Sequence, residues 1–290
     1  MKRRADFVLK VIRPRPSEAA ELAAGALLLS GLVPLRSGST SIPEIQTAGN
    51  LWKPCAAARL PLRKSDAEGV PDIATGAIPA DMISLQVLTS WFSPSYPVGA
   101  YSYSHGLEWA IEDNTVRNGE DLQGWISDLL AFGAGRSDAI LVAEAYRSSD
   151  PHDLMELADA LTPCSERHLE TMAQGTAFAR TTAAVWNIPL EPMPYPVAVG
   201  TAARALALPL QPLLMLFVQA FAANIVSAGV RLIPLGQTEG QKTTARLMPL
   251  IERVAREAEE STVATLGSMS TGADLASMLH ETQYTRLYRS

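Results

Sequence analysis

Asn118-Gly-Glu-Asp-Leu122-Gln-Gly-Trp125-Ile126-Ser-Asp-Leu129-Leu130 decides the fold class. Leu122, Trp125, Ile126, Leu129 and Leu130 recur at i, i+3, i+4, i+7 and i+8, the spacing of one buried helical face. Asn118 carries a side-chain acceptor for the first free N–H groups, and Glu120 and Asp121 stand where the positive helix end favours acids. Outward from there the helical period continues. Met82–Phe92 is a short apolar helix stopped by Ser93-Pro94, and His105–Asp113 and Asp138–Arg147 follow. Asp150-Pro151 reads as an N-cap with proline at the first helical position, opening 151–161. Ser165–Trp186 is long and amphipathic, with Leu169, Met172, Ala173, Thr176 and Ala177 on its apolar side. Pro189, Pro192, Pro194 and Pro196 make an ordered connector, after which helices are expected at about 197–207, 210–228, 237–259 and 273–284. No alternating run argues for a strand. The expectation is an all-α chain, one compact bundle-like domain of about ten helices over residues 82–290.

Residues 1–81 read differently. Eight of the 20 prolines are scattered there, and the segment holds 11 Lys/Arg against 8 Asp/Glu, whereas residues 82–290 hold 13 against 22. The basic start (Lys2, Arg3, Arg4) and the apolar stretch Glu18–Leu29 suggest a targeting peptide, but Glu18 and Glu21 abut that stretch and no clean cleavage site follows Leu35. A disordered or irregular extension, or sequence upstream of a native start at Met82, is the expectation for 1–81.

Composition excludes several classes. Two cysteines, Cys55 and Cys164, form no CxxC pair and cannot staple a secreted mini-domain, which points to a reducing compartment. The acidic balance of 82–290, where Lys242 is the one lysine among twelve arginines, leaves no nucleic-acid footprint. The 26 residues between Arg204 and Arg231 carry no formal charge. A membrane span is long enough at about 20 apolar residues. Pro209, Gln211, Pro212, Gln219, Asn224 and Ser227 interrupt this one, so a buried helix of a bundle or a dimer interface is the better reading.

Local catalytic signatures are weak. Gly236-Gln-Thr-Glu-Gly240-Gln-Lys242 has three residues between its glycines and Gln241 before the lysine, so it fails as a phosphate loop. It reads instead as a tight turn in which Gly236 takes unusual backbone angles, with Gln237, Gln241 and Lys242 exposed at a helix start. His105 and Glu108, at i and i+3, would share one helical face; a cleft around them is the alternative, all-α-enzyme reading. His168 with Glu170 reads as a solvated pair. The unusual loop is Ser93-Pro-Ser-Tyr96-Pro97-Val-Gly99-Ala-Tyr101-Ser-Tyr103-Ser-His105-Gly-Leu-Glu108, whose tyrosines suit interface anchoring and buried packing equally.

This loop resembles the urease accessory protein UreF family, whose P-x-G-(G/A)-aromatic-(S/A)-Y-S-H-G-L-E signature is matched by Pro97–Glu108. Val230–Gln241 and His280–Ser290 agree as two further blocks, with Ala100, Thr285 and Tyr288 as mild departures. The resemblance covers 82–290 and implies an all-helical, dimeric, cytoplasmic protein without enzymatic activity. It implies a nickel-insertion chaperone for the dinuclear centre of urease, acting on apo-urease with UreD (UreH) and the GTPase UreG and modulating GTP hydrolysis. GTP would belong to UreG and nickel would pass through the complex, so no stably bound cofactor or metal is expected, and neither nucleic acid nor membrane is a partner. By position the resemblance marks Tyr101, Tyr103, His105, Glu108, Arg231, Gln237, Gln241 and Lys242 as partner-facing or path-lining candidates. Arg231 would also complement the negative end of the uncharged helix. Tyr284, Leu287 and Tyr288, at i, i+3 and i+4 beside Arg286 and Arg289, would form one helical ridge for docking a partner, with self-packing as the competing reading.

Overall fold

The computed structural model describes residues 80–267 and 269–290; the expectations for residues 1–79 lie outside them. Ten α-helices follow in order: α1 (Ala80–Trp91), α2 (Leu107–Glu112), α3 (Gly119–Ala131), α4 (Ala134–Arg147), α5 (His152–Ala160), α6 (Ser165–Trp186), α7 (Tyr195–Ala205), α8 (Leu210–Leu232), α9 (Gln237–Glu260) and α10 (Thr271–His280). Short 3₁₀ turns occur at Ala100–Ser102 and Val263–Thr265, and no strand is present among the described residues. The all-α expectation holds.

The deciding helix forms as its sequence dictates. Asn118 accepts the backbone N–H of Glu120 and Asp121, and Leu122, Ile126, Leu129 and Leu130 are buried. α8 lies at the centre, packed on α9, α3, α4 and α1, while α4 packs on α7 and α7 on α6. α8 is long and apolar enough to cross a membrane, and half of its most apolar window is buried inside the domain. α9 turns Thr243, Leu247, Ile251, Val254 and Ala258 inward, a stripe of three- and four-residue steps. It also carries Pro249 in its interior. The proline lies on the solvent face, where water can take the carbonyl that loses its partner.

Several boundaries differ from expectation, each for a local reason. α4 begins at Ala134, four residues before Asp138. Asp150 does accept the N–H of His152, at 3.1 Å, but the helix opens there with Pro151 at the cap. Gly236 has φ −74, an ordinary extended value; it precedes α9 without any special turn. α10 ends at His280, and residues 281–290 are irregular, so Tyr284, Leu287 and Tyr288 form no helical ridge.

The largest departure is α6. Its expected apolar side faces out, with Leu169, Ala173 and Thr176 exposed, while Arg167, Glu170, Gln174, Phe178 and Thr182 form the buried stripe. Polar side chains go inward because partners wait there, and buried charge is tolerated only when paired. Gly175 permits the approach of the following connector: a Cβ there would stand 1.9 Å from the Met193 carbonyl oxygen.

Candidate functional site

The Pro97–Glu108 loop and the C-terminal tail meet over the buried stripe of α6. The loop is shaped by two consecutive left-handed residues, His105 (φ 55) and Gly106 (φ 74), so α2 starts only at Leu107. A Cβ on Gly106 would fall 2.7 Å from the Ser277 nitrogen, so α10 presses on the loop at this point. His105 and Glu108 therefore do not share a helical face, and they point to different partners. This corrects the expectation of a common His105/Glu108 cleft.

Glu108 turns to the tail. Its Oε1 accepts the Leu287 N–H at 2.7 Å and its Oε2 the Tyr288 N–H at 2.9 Å. His280 Nε2 lies 3.1 Å from Glu108 Oε2, and the other ring nitrogen is 2.6 Å from Glu166 Oε2. Arg286 pairs with Glu166, and Glu281 caps the start of α6 by accepting from Ser165 Oγ and the Glu166 N–H. Ser104 donates both its N–H, at 2.7 Å, and its hydroxyl, at 2.5 Å, to the Ser290 carbonyl, while the Arg289 N–H reaches the Ser102 carbonyl at 2.8 Å. The tail is thus clasped onto the loop by backbone groups, and Tyr288 packs inward while Tyr284 and Leu287 stay exposed.

His105 turns to α6. Its Nε2 is 3.2 Å from Glu170 Oε1, and its ring lies against Phe221 with centroids 4.7 Å apart. Glu170 also accepts from Gln174 Nε2 at 2.9 Å and from Ser290 Oγ at 2.7 Å, and forms an ion pair with Arg167. Burial alone would lift the Glu170 carboxyl; Arg167 and His105 outweigh it and hold Glu170 well below the usual carboxylate range. Burial, then the charge of Arg167, push the imidazole of His105 down, so it is neutral near pH 7 and donates through Nε2–H. Asp138 of α4 lies 4.0 Å from Arg167 Nη2, and burial pushes its carboxyl up to about 6 against the pull of Arg167.

These groups floor a cavity of about 370 Å³ walled by Trp91, Phe92, Tyr195, Phe217 and Phe221. His105 lines it and Glu108 does not. Among the described residues no group of three or more His, Cys, Asp or Glu side chains is arranged to hold a metal ion.

The remaining sequence candidates scatter. Tyr103 is buried under the clasp, whereas Tyr101 is exposed at the cavity. Arg231, in the last turn of α8, is exposed and lines the cavity rim; Gln237, Gln241 and Lys242 are exposed at the start of α9, with Lys242 3.2 Å from Glu239. In the tail, Tyr288 is buried, while Tyr284 and Leu287 project into solvent; Arg289 is exposed, and Arg286 is partly exposed beside its partner Glu166. Reasoning from sequence missed Ser104, Asp138, Glu166, Arg167 and Glu170 as members of the site. His168 pairs with Asp159, leaving Glu170 to the interior. The spacing of Arg167, Glu170 and Gln174 at i, i+3 and i+7 was the available signal, a polar stripe opposite a face of small residues.

Comparison with known proteins places this architecture. The UreF family profile matches residues 116–248. The urease accessory protein UreF of Cereibacter sphaeroides is 53% identical over 207 residues, covering 71% of this chain and 99% of that protein. Urease accessory proteins UreF of Roseobacter denitrificans (47% over 205 residues, 70% and 92%) and Xanthobacter autotrophicus (47% over 223 residues, 72% and 92%) are also similar.

Proposed function

The chain belongs to the UreF family of urease accessory proteins, and we propose that it acts as a non-enzymatic adaptor in nickel insertion, joining UreD (UreH) and the GTPase UreG on apo-urease in the cytoplasm. The observation that carries this reading is the clasped tail. It holds backbone groups of residues 287–290 rigidly on the domain while Tyr284 and Leu287 stand free in solvent. Exposed aromatic and aliphatic side chains on an ordered segment are good anchors, because little ordering entropy remains to be lost on binding. The UreD-type partner is assigned to this tail. Arg231, Gln237, Gln241 and Lys242, exposed together around the α8–α9 junction, are assigned to the GTPase side, where they modulate hydrolysis.

A homodimer is part of the same reading. The face of α8 that carries Ala223 and Ser227 is exposed beside the cavity both residues line, and a second copy is assigned to it. Nickel passes through the assembled complex as cargo, and GTP is bound by UreG.

Co-purification tests the proposal. The full chain, co-expressed with UreD and UreG, is expected to bring down both, and deleting its gene is expected to abolish urease activity that nickel and the other accessory proteins cannot restore. Failure to capture either partner, with urease activity intact in the deletion strain, overturns it.

A further inference from the structure

The cavity holds a carboxylate whose needs the protein leaves unmet. Among the described residues nothing donates a hydrogen bond to Asp138, and its nearest cation, Arg167 at 4.0 Å, is already committed to Glu170. The floor therefore carries two carboxylates against one guanidinium, with His105 neutral between them. Asp274 of α10 lies beyond Asp138, in the small adjoining pocket both residues line, and adds no positive charge. Arg231, the other cation of the lining, lies at the rim, ten residues along α8 from Phe221, a rise of roughly 15 Å. The Asp138 side chain keeps 23% of its surface accessible, so a ligand can reach it, and its packing still makes ionisation without a counter-charge costly.

The walls state what kind of counter-charge fits. Trp91, Phe92, Tyr195, Phe217 and Phe221 present aromatic surface, which attracts cations through the ring quadrupole and accommodates apolar bodies. The volume of about 370 Å³ is that of a small-ligand pocket. A bare divalent ion would find the Asp138 carboxylate and the unpartnered Nδ1 of His105 but, among the described residues, no cluster of three or more His, Cys, Asp or Glu, and a hydrated one would leave the aromatic surface unused. An anion would face the excess negative charge of the floor.

We propose that this cavity is a binding site for a small organic monocation, an ammonium head on an apolar or aromatic body, with the head on the Asp138 carboxylate and the body against the ring of aromatic side chains. The inference rests on the cavity and not on the adaptor role above; because the second copy proposed there would cover Ala223 and Ser227 beside this cavity, binding is measured on the full chain at a protein concentration where it is monomeric.

Benzylammonium, added as its chloride to the full chain, is the probe, with benzyl alcohol as its neutral counterpart. Binding is read by calorimetry and by the fluorescence of Trp91 at the cavity wall. The expected result is saturable benzylammonium binding at least about tenfold tighter than benzyl alcohol, the margin one exposed-to-buried charge contact supports. Asp138→Asn should erase that preference while the far-UV spectrum and thermal transition stay cooperative. A second measurement needs no variant: benzylammonium affinity should fall as pH drops through about 6, where Asp138 takes its proton, and benzyl alcohol affinity should not. Of the groups facing Asp138, Arg167 and Tyr195 keep their protons and Glu170 is ionised well below this range, whereas protonating His105 or Asp274 would weaken benzylammonium in the same sense; the fall must therefore vanish in Asp138→Asn, and a fall that persists there overturns the assignment. Equal affinity for the two probes, an unchanged preference in Asp138→Asn, or no binding of benzylammonium would each overturn the proposal. So would Ni²⁺ alone binding in an Asp138-dependent way where benzylammonium does not.

Discussion

Glu108 and His280, on helices at opposite ends of the described chain, meet with Oε2 and Nε2 3.1 Å apart, and the carboxylate so oriented takes the backbone N–H groups of Leu287 and Tyr288. One buried acid thereby ties together the loop, α10 and the tail. A backbone donor needs only an acceptor in the right place, so the tail sequence is free to display whatever side chains the outer face requires.

Replacing Glu108 by alanine strands two backbone donors and one imidazole nitrogen. At about 1–3 kcal/mol for each buried group left unpaired, a loss of at least about 3 kcal/mol is expected in chemical denaturation. Glu108→Gln retains volume and one acceptor, so the domain should stay folded while amides of residues 284–290 exchange faster and the tail becomes protease-sensitive. Unchanged exchange in that variant would remove Glu108 from the clasp.

Gly106→Ala should be among the most damaging single-methyl additions. The residue has φ 74, and its added Cβ would meet backbone atoms of Ala276 and Ser277 at 2.7–3.0 Å. A loss of more than about 2 kcal/mol is expected, combining left-handed strain with a displaced α10. Gly272→Ala, where the Cβ meets open space, serves as the control and should leave the melting temperature near that of the parent.

Asp138 sets a pH dependence of known sign. Its carboxyl is pushed up from 3.8 to about 6, so its contribution to stability is complete below the unfolded value and is lost as pH rises through about 6. Two units correspond to roughly 3 kcal/mol at most. Asp138→Asn should therefore gain stability relative to the parent at pH 8 and lose that advantage at pH 4. A difference independent of pH, measured by urea titration at both values, contradicts the assignment.

Tyr284→Ala and Leu287→Ala remove exposed side chains that touch little of the domain. Unfolding free energies should change by less than about 0.5 kcal/mol, while capture of a UreD-type partner should weaken by at least about tenfold. Tyr288→Ala should do the reverse first: it opens a buried site and costs about 3–5 kcal/mol of stability.

Arg231→Ala separates two roles. A cation in the last turn of α8 contributes only about 0.3–1 kcal/mol through the helix dipole, so a small stability loss with unaltered GTP hydrolysis by the assembled complex assigns it to the helix end. Altered hydrolysis with stability unchanged assigns it to the GTPase contact.

The readable parts of this protein are those governed by local rules. Asn118 and the Leu122–Leu130 period set α3, and the absence of charge between Arg204 and Arg231 marked the central helix; the three motif blocks carried the family. The boundaries that shifted, at Ala134, His152 and Leu107, moved where loop geometry or a neighbouring helix decided the last turn. The candidate site was legible only in pieces. His105, Glu108 and the tail were named from their residue types and motif positions, yet their pairing was misread, because i, i+3 spacing presumes a helix that His105 and Gly106 interrupt with left-handed backbone.

Sequence alone determined the helical class, the core stripe of α3 with its Asn118 cap, and membership of one family. Only the tertiary structure decided that α6 lies with its charges inward, that the tail folds back instead of extending α10, and that Asp138 faces a cavity without a donor. The reason is physical. Helical period and capping depend on residues within a few positions of one another, whereas the cost of burying Arg167, Glu170 or Glu108 depends on partners from other helices and the tail, which only folding brings together.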